Sequence, residues 1–116
     1  MEKQRKYRNK KIMVDGIQFD SKKEAKRFRE LKLLEDAGII EKLERQVKFD
    51  LLPNQKDTDG KVIERKVQYI ADFVYTKNGK VCVEDVKGYR DGGAYRVFVI
   101  KRKLMLYRFG LVVKEI

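Results

Sequence analysis

The chain has no histidine and no tryptophan, and its 116 residues include one cysteine and one proline. The lack of histidine removes the usual general base, the Ser-His and Cys-His nucleophile pairs and most zinc chemistry. One cysteine excludes an internal disulfide and a Cys-cluster zinc site. That residue, Cys82, stands among valines and reads as a small buried hydrophobe. There is no long apolar stretch, no signal peptide and no lipidation motif. A membrane partner is therefore disfavoured, and a cytoplasmic, or more broadly intracellular, setting is the default expectation. Any catalysis must rest on carboxylates, lysines and a hard metal ion.

Positive charge, by contrast, is plentiful. Lys and Arg number 29 against 18 Asp and Glu, a formal charge of +11, while 42% of residues are hydrophobic. That is enough apolar material for a core, so the composition fits a folded domain with an anionic partner, most commonly nucleic acid, rather than a disordered polycation. A chain of this length supports one core and hence one site. Residues 1–11, MEKQRKYRNKK, are too basic to bury anything and read as a flexible arm, either a solvated tail or a grip on phosphate. Residues 12–116 read as a single domain.

Within that domain, Asp15-Gly16 sits between two short alternating runs and predicts a tight hairpin. Ser21 as cap, Glu24 three residues on, and Ala25, Phe28, Leu31 and Leu34 at helical spacing predict a helix over 21–37, ended by Gly38. Leu43, Val47, Phe49 and Leu51 alternate as a strand, with Arg45 the exception on their face. Residues 53–60 read as a turn-rich loop and 61–75 as a second strand. Asn78-Gly79 is the strongest hairpin signal and leads into VCVEDVKG, a third strand. Three glycines make 88–93 a loop. Val97, Ile100, Leu104 and Tyr107 then mark the apolar stripe of a second helix ending at Gly110, and LVVKEI is a last strand. The order hairpin-α-β-β-β-α-β predicts an α/β or α+β fold with a mixed sheet flanked by helices.

If Asn78 and Gly79 form a two-residue turn, Lys77 pairs with Lys80, and counting back along both strands sets Asp72 directly across from Asp85. Opposed carboxylates repel, by ~0.2–1 kcal/mol when exposed and more when buried, so the pair calls for a shared proton or a cation. Strand alternation places Lys87 on the face of Asp85 and turns Glu84 to the other side. A solvated salt-bridge lattice would explain such a face without any function. Glu24 has an ordinary explanation too, a capping box with Ser21, yet it also lies on the helix stripe that faces the sheet.

IADFVY, then a short hairpin and EDVKG, behind a Glu-bearing helix, resembles the PD-(D/E)XK nuclease superfamily. The likeness is nearest to small phage-type endonucleases that resemble Holliday junction resolvases and the TnsA-like transposase nuclease. It covers residues 12–116 and implies a restriction-endonuclease-like core. It further implies an Mg²⁺-dependent or Mn²⁺-dependent deoxyribonuclease leaving a 5′-phosphate and a 3′-hydroxyl, acting in a phage or its bacterial host on branched or recombination-intermediate DNA. Under the resemblance Asp72, Asp85 and Glu24 bind metal and Lys87 assists the attacking water. Ala71 replaces the proline that names the motif, and Glu84 has no lysine two residues on, so Asp85 is the acid retained. Gln46 could orient substrate, though a solvated strand residue is the more ordinary reading, and at least one of Lys101 and Lys103 is expected to contact DNA, a solvated helix face being the alternative for each. A homodimer is expected if both strands of a duplex are cut. The alternatives are a noncatalytic basic nucleic-acid-binding module, or an assembly protein whose charge serves subunit contacts.

Overall fold

The computed structural model describes residues 11–116; the arm expected over 1–11 lies outside them but for Lys11. Asp15 and Gly16, at φ of 53° and 77°, turn β1 (Ile12–Val14) back on β2 (Ile17–Phe19). Successive positive φ angles match the twist of the flanking strands, as the dipeptide predicts. Helix α1 (Lys22–Asp36) starts on Ser21, whose Oγ accepts the Glu24 amide at 3.1 Å. Its stripe of Ala25, Phe28 and Leu31 is buried with Phe19, Ile40 and Phe73.

Next comes β3 (Glu41–Leu52). The segment expected as a loop instead forms its own small hairpin, β4 (Gln55–Lys56) with β5 (Val62–Glu64), so the strand expected over 61–75 is divided. The Asp57 carboxylate builds this turn by accepting the amides of Asp59 and Lys61 at 2.9 and 3.0 Å, a local side-chain bond that alternation cannot reveal. Strands β6 (Val67–Lys77) and β7 (Lys80–Asp85) follow, joined by Asn78 and Gly79 with φ of 52° and 76°. Helix α2 (Gly92–Phe109) then crosses to β8 (Val113–Glu115). It starts earlier than the glycines suggest, because Asp91 caps it and Gly92 and Gly93 lie in its first turn.

The four-stranded sheet has the order β3-β6-β7-β8. Its first two pairings are antiparallel and the last is parallel, the step that requires a crossover helix. The result is an α+β fold with a mixed sheet and two helices, as expected. Among the described residues no helix is long and apolar enough to cross a membrane.

Helix α2 corrects the expected stripe. Val97, Ile100 and Tyr107 are 51%, 59% and 88% exposed, while Phe98 and Met105 are buried. Apolar residues occupy both series at helical spacing, so the sheet makes the choice. Phe98 lies 6.2 Å from the Tyr69 ring and Phe109 lies 5.7 Å from Phe49. Burying an aromatic of this size stabilises by ~1.5–3 kcal/mol.

The two long strands change partners part-way along. Leu43, Phe73 and Tyr75 pack toward α1, whereas Phe49, Leu51, Tyr69 and Ala71 pack toward α2. The change falls where Gln46 faces Asp72, bracketed by the pairs Arg45↔Phe73 and Val47↔Ala71. Gln46 has φ of 52°, a left-handed conformation that costs a non-glycine residue about 1–2 kcal/mol. The strain sits beside the acids described next.

Candidate active site

The register confirms the counting argument: Lys77↔Lys80 through Phe73↔Glu84 are paired, and the next step along both strands is Asp72 and Asp85. Asp72 Oδ2 accepts the Val86 amide at 2.8 Å, which fixes the carboxylate at the end of the hairpin ladder. Gln46 completes a row of three side chains across β3, β6 and β7.

Glu24 descends onto this row from the first turn of α1. It is 8% exposed, and its carboxylate is used at the sheet: Gln46 Nε2 donates to Glu24 Oε1 at 3.2 Å and to Asp72 Oδ1 at 3.3 Å. One amide thus spans two acids from different elements. Burial pushes the Glu24 carboxyl up to about 7, and the Asp72 charge adds to this, while Arg45 opposes it. Asp72 is likewise raised, by burial first and then by the charge of Asp85, against the help of the Val86 amide. Each of the two carboxyls therefore holds a proton more tightly than it would in water.

Asp85 belongs to the same row but is satisfied differently. Its Oδ2 accepts the Tyr69 hydroxyl at 2.7 Å, and its Oδ1 lies 2.8 Å from Lys87 Nζ. The ammonium also rests 3.8 Å from the centre of the Phe98 ring, so it is held between a carboxylate and a π face. Burial, followed by the hydrogen bond to Asp85, raises the Tyr69 phenol far above its ordinary range, so Tyr69 remains a donor. Lys87 is anchored through its backbone as well, its carbonyl accepting Lys23 Nζ at 2.6 Å and its amide donating to Ile116 at 3.3 Å.

Glu84, turned to the opposite face as parity requires, pairs with Arg27 and accepts the Tyr75 hydroxyl. It is part of the α1 core and not of the site.

All the donors here are oxygen, the chemistry that suits Mg²⁺ or Mn²⁺. Among the described residues, no three or more His, Cys, Asp or Glu side chains are arranged as a ready metal cage. Glu24 and Asp72 are bridged by the Gln46 amide, while Asp85 turns to Tyr69 and Lys87. Glu24 and Asp72, acids bridged by Gln46, and Asp85 beside them are oxygen donors that would suit a hard divalent cation, which would neutralise their charge.

Of the residues expected from the sequence, Glu24, Gln46, Asp72, Asp85 and Lys87 come together. Lys101 lines a cavity of about 260 Å³ that Asp85 and Lys87 also border. Lys103, two positions on and so roughly 200° around α2, is exposed and does not line it. Three contributors were missed. Tyr69 and Phe98 carry no local signal, since each acts through a partner distant in sequence. Arg45 had one, as the lone charge on an apolar strand face; its guanidinium lies 4.3 Å from the Phe19 ring centre, with Nε buried and unpartnered.

Comparison with curated proteins and with solved structures gives no match. Residues 4–115 match the family model described as a protein of unknown function (DUF1064), and the chain belongs to that family.

Proposed function

We propose that the chain is a metal-dependent DNA endonuclease, with Glu24, Asp72, Asp85 and Lys87 as its catalytic group and a restriction-endonuclease-like core. The observation that carries this reading is the bridge made by Gln46. It ties an acid of α1 to an acid of β6, while the neighbouring acid of β7 holds the only lysine of the cluster. A salt-bridge lattice explains Asp85 and Lys87, but it does not explain two further carboxyls without a salt bridge among the described residues, one raised to about 7.

Glu24, Asp72 and Asp85 would hold Mg²⁺ or Mn²⁺. Bound there, the ion supplies charge neutralisation, polarisation of the scissile phosphate and acidification of a coordinated water. Lys87 places a point cation where charge develops on the phosphate or its attacking water, and Phe98 and Asp85 keep it there. Gln46 orients Glu24 against Asp72. Lys101 meets the DNA backbone at the rim, and the +11 charge supplies sequence-independent affinity that falls steeply with salt. Branched or recombination-intermediate DNA is the favoured substrate, and cutting both strands of a duplex would bring two copies together.

The test incubates the purified chain with four-way junction, nicked, single-stranded and linear duplex DNA, in Mg²⁺ or in chelator, alongside Asp85→Asn and Lys87→Ala. Metal-dependent cleavage lost in both variants is the expected result. Cleavage that survives chelator sinks the metal mechanism. Binding without cleavage on every substrate leaves the noncatalytic nucleic-acid-binding module.

A further inference from the structure

The cavity between β6 and α2 opens directly beside Asp85 and Lys87. We infer that it seats one unpaired nucleotide of the substrate strand, next to the phosphate that is cut. The inference takes its substrate from the nuclease reading and adds where the neighbouring base goes.

The lining carries the argument. Tyr69 and Phe98 border it at the core side, and Ile70 from the sheet and Val97 from α2 add two apolar side chains to its lining. Ile70 and Val97 are about half exposed, so their apolar surface is open to a ligand. A lining of aliphatic and aromatic groups suits a flat heterocycle, and sequence-tolerant stacking is how single strands are held. The rim is polar where a base edge and a phosphate require it. Gln68 commits its amide nitrogen to Asp50 Oδ1 at 2.6 Å, which leaves its carbonyl oxygen to accept from a base, and Lys101 offers a cation to the adjoining phosphate. At about 260 Å³ the cavity is smaller than a typical drug-sized site and admits one nucleoside but not a base pair.

A stacked and paired base cannot enter. The pocket therefore selects DNA in which the nucleotide beside the cut is already unpaired, because extrusion from an intact duplex has to be overcome first. Forks, flaps and gaps meet that condition, and a continuous duplex does not.

Forked DNA carrying 2-aminopurine at successive unpaired positions, and matching forks with an abasic site there, test this with the full chain. Binding is measured in chelator and cleavage in Mg²⁺. One position is expected to change its fluorescence on binding, and an abasic site at that position to weaken binding by about tenfold, within the range that a stacked base contributes. Val97→Trp and Ile70→Trp fill the cavity from α2 and from the sheet and are expected to abolish both effects. Their exposure lets them fold, which circular dichroism checks. A pocket that does not exist would show no responsive position, or would let both variants discriminate intact from abasic forks as the wild type does. Fluorescence discrimination without Mg²⁺-dependent cleavage sinks the nuclease reading and keeps the pocket. Cleavage indifferent to the abasic site sinks the pocket alone, and no DNA binding at all sinks both.

Discussion

Arg27 grips Glu84 with both arms of its guanidinium, Nε 2.7 Å from Oε1 and Nη2 2.6 Å from Oε2. Glu84 is 1% exposed, and burial alone would raise its pKa; the bonds from Arg27 and Tyr75 outweigh burial and hold it below the usual carboxylate value. The pair also sets a height. Glu24 precedes Arg27 by one helical turn, and Asp72 precedes Phe73, the partner of Glu84 across the hairpin. Docking Arg27 on Glu84 therefore lowers Glu24 onto Asp72.

Replacing Arg27 by Met keeps the stem but leaves Glu84 charged and unpaired. We expect a loss of about 2–3 kcal/mol in urea unfolding, below the value for a wholly enclosed pair because Arg27 keeps some solvent contact. Cleavage by the folded fraction should fall as well, since α1 no longer holds Glu24 in place. A variant as stable as the wild type would show that the pair does not position the helix.

The two buried glutamates give opposite pH dependences. The folded pKa of Glu84 is depressed, so its contribution is fully present above the unfolded value of 4.5 and is lost as pH falls through the lower folded value. The Glu24 carboxyl is raised to about 7, so the folded state binds its proton more tightly. Stability from that proton is present below 4.5 and lost as pH rises toward and through 7, by at most ~3 kcal/mol. Metal-free protein should therefore weaken between about pH 5 and 8. Glu24→Gln should remove that slope and raise stability at pH 8 while abolishing cleavage. A slope unchanged in Glu24→Gln would place the titrating group elsewhere.

Much of this arrangement is local chemistry and was legible in the sequence. Asp15-Gly16 and Asn78-Gly79 specify turns by their tolerance of positive φ, Ser21 specifies a cap, and a two-residue turn places Asp72 against Asp85 by counting alone. What was not legible depends on a second element. Ser-x-x-Glu allows Glu24 either to cap its own helix or to reach the sheet, and only the position of Gln46 and Asp72 decides. The two apolar series of α2 are equally periodic; Tyr69 and Phe49, far away in sequence, select Phe98 and Phe109 over Val97 and Tyr107. The left-handed Gln46 has no sequence mark at all, since glutamine carries no preference for that conformation.

If a divalent cation binds at Glu24 and Asp72, it should stabilise the folded state by mass action. Mg²⁺ or Mn²⁺ at pH 8 is expected to raise the Tm of the wild type and to leave Glu24→Gln and Asp72→Asn nearly unmoved. Calorimetric titrations at a series of pH values should release fewer protons as pH increases past 7. Equal stabilisation of all three chains would mean that the ion binds elsewhere.

Phe98→Leu tests the hold on Lys87. The substitution keeps an apolar side chain under α2 but removes the π face 3.8 Å from the ammonium. The expected cost is about 1–2 kcal/mol in stability. In cleavage kinetics on forked DNA kcat should fall, because Lys87 serves the transition state, and KM should rise with the loss of an aromatic from the pocket lining. An unchanged kcat would show that the ring does not hold Lys87 in place.

Glu115 ties the loop after β7 to the far end of the fold. Its carboxylate accepts the Tyr95 hydroxyl at 2.9 Å, Arg102 Nη1 at 2.9 Å and Arg90 Nε at 3.3 Å, bonds that together outweigh burial and lower its pKa. The same strand end donates the Ile116 amide to the Asp85 carbonyl at 2.8 Å, so β8 secures both the catalytic strand and the loop that leaves it. Glu115→Gln keeps the shape but halves the acceptor capacity and removes the charge that three donors share. Stability should fall by about 1 kcal/mol. Hydrogen exchange should quicken at residues 87–95 while α1 stays protected, and cleavage should fall in step with the loosened loop. Uniform exchange across the whole chain would mean that Glu115 supports global stability only, with no particular hold on the segment that carries Lys87.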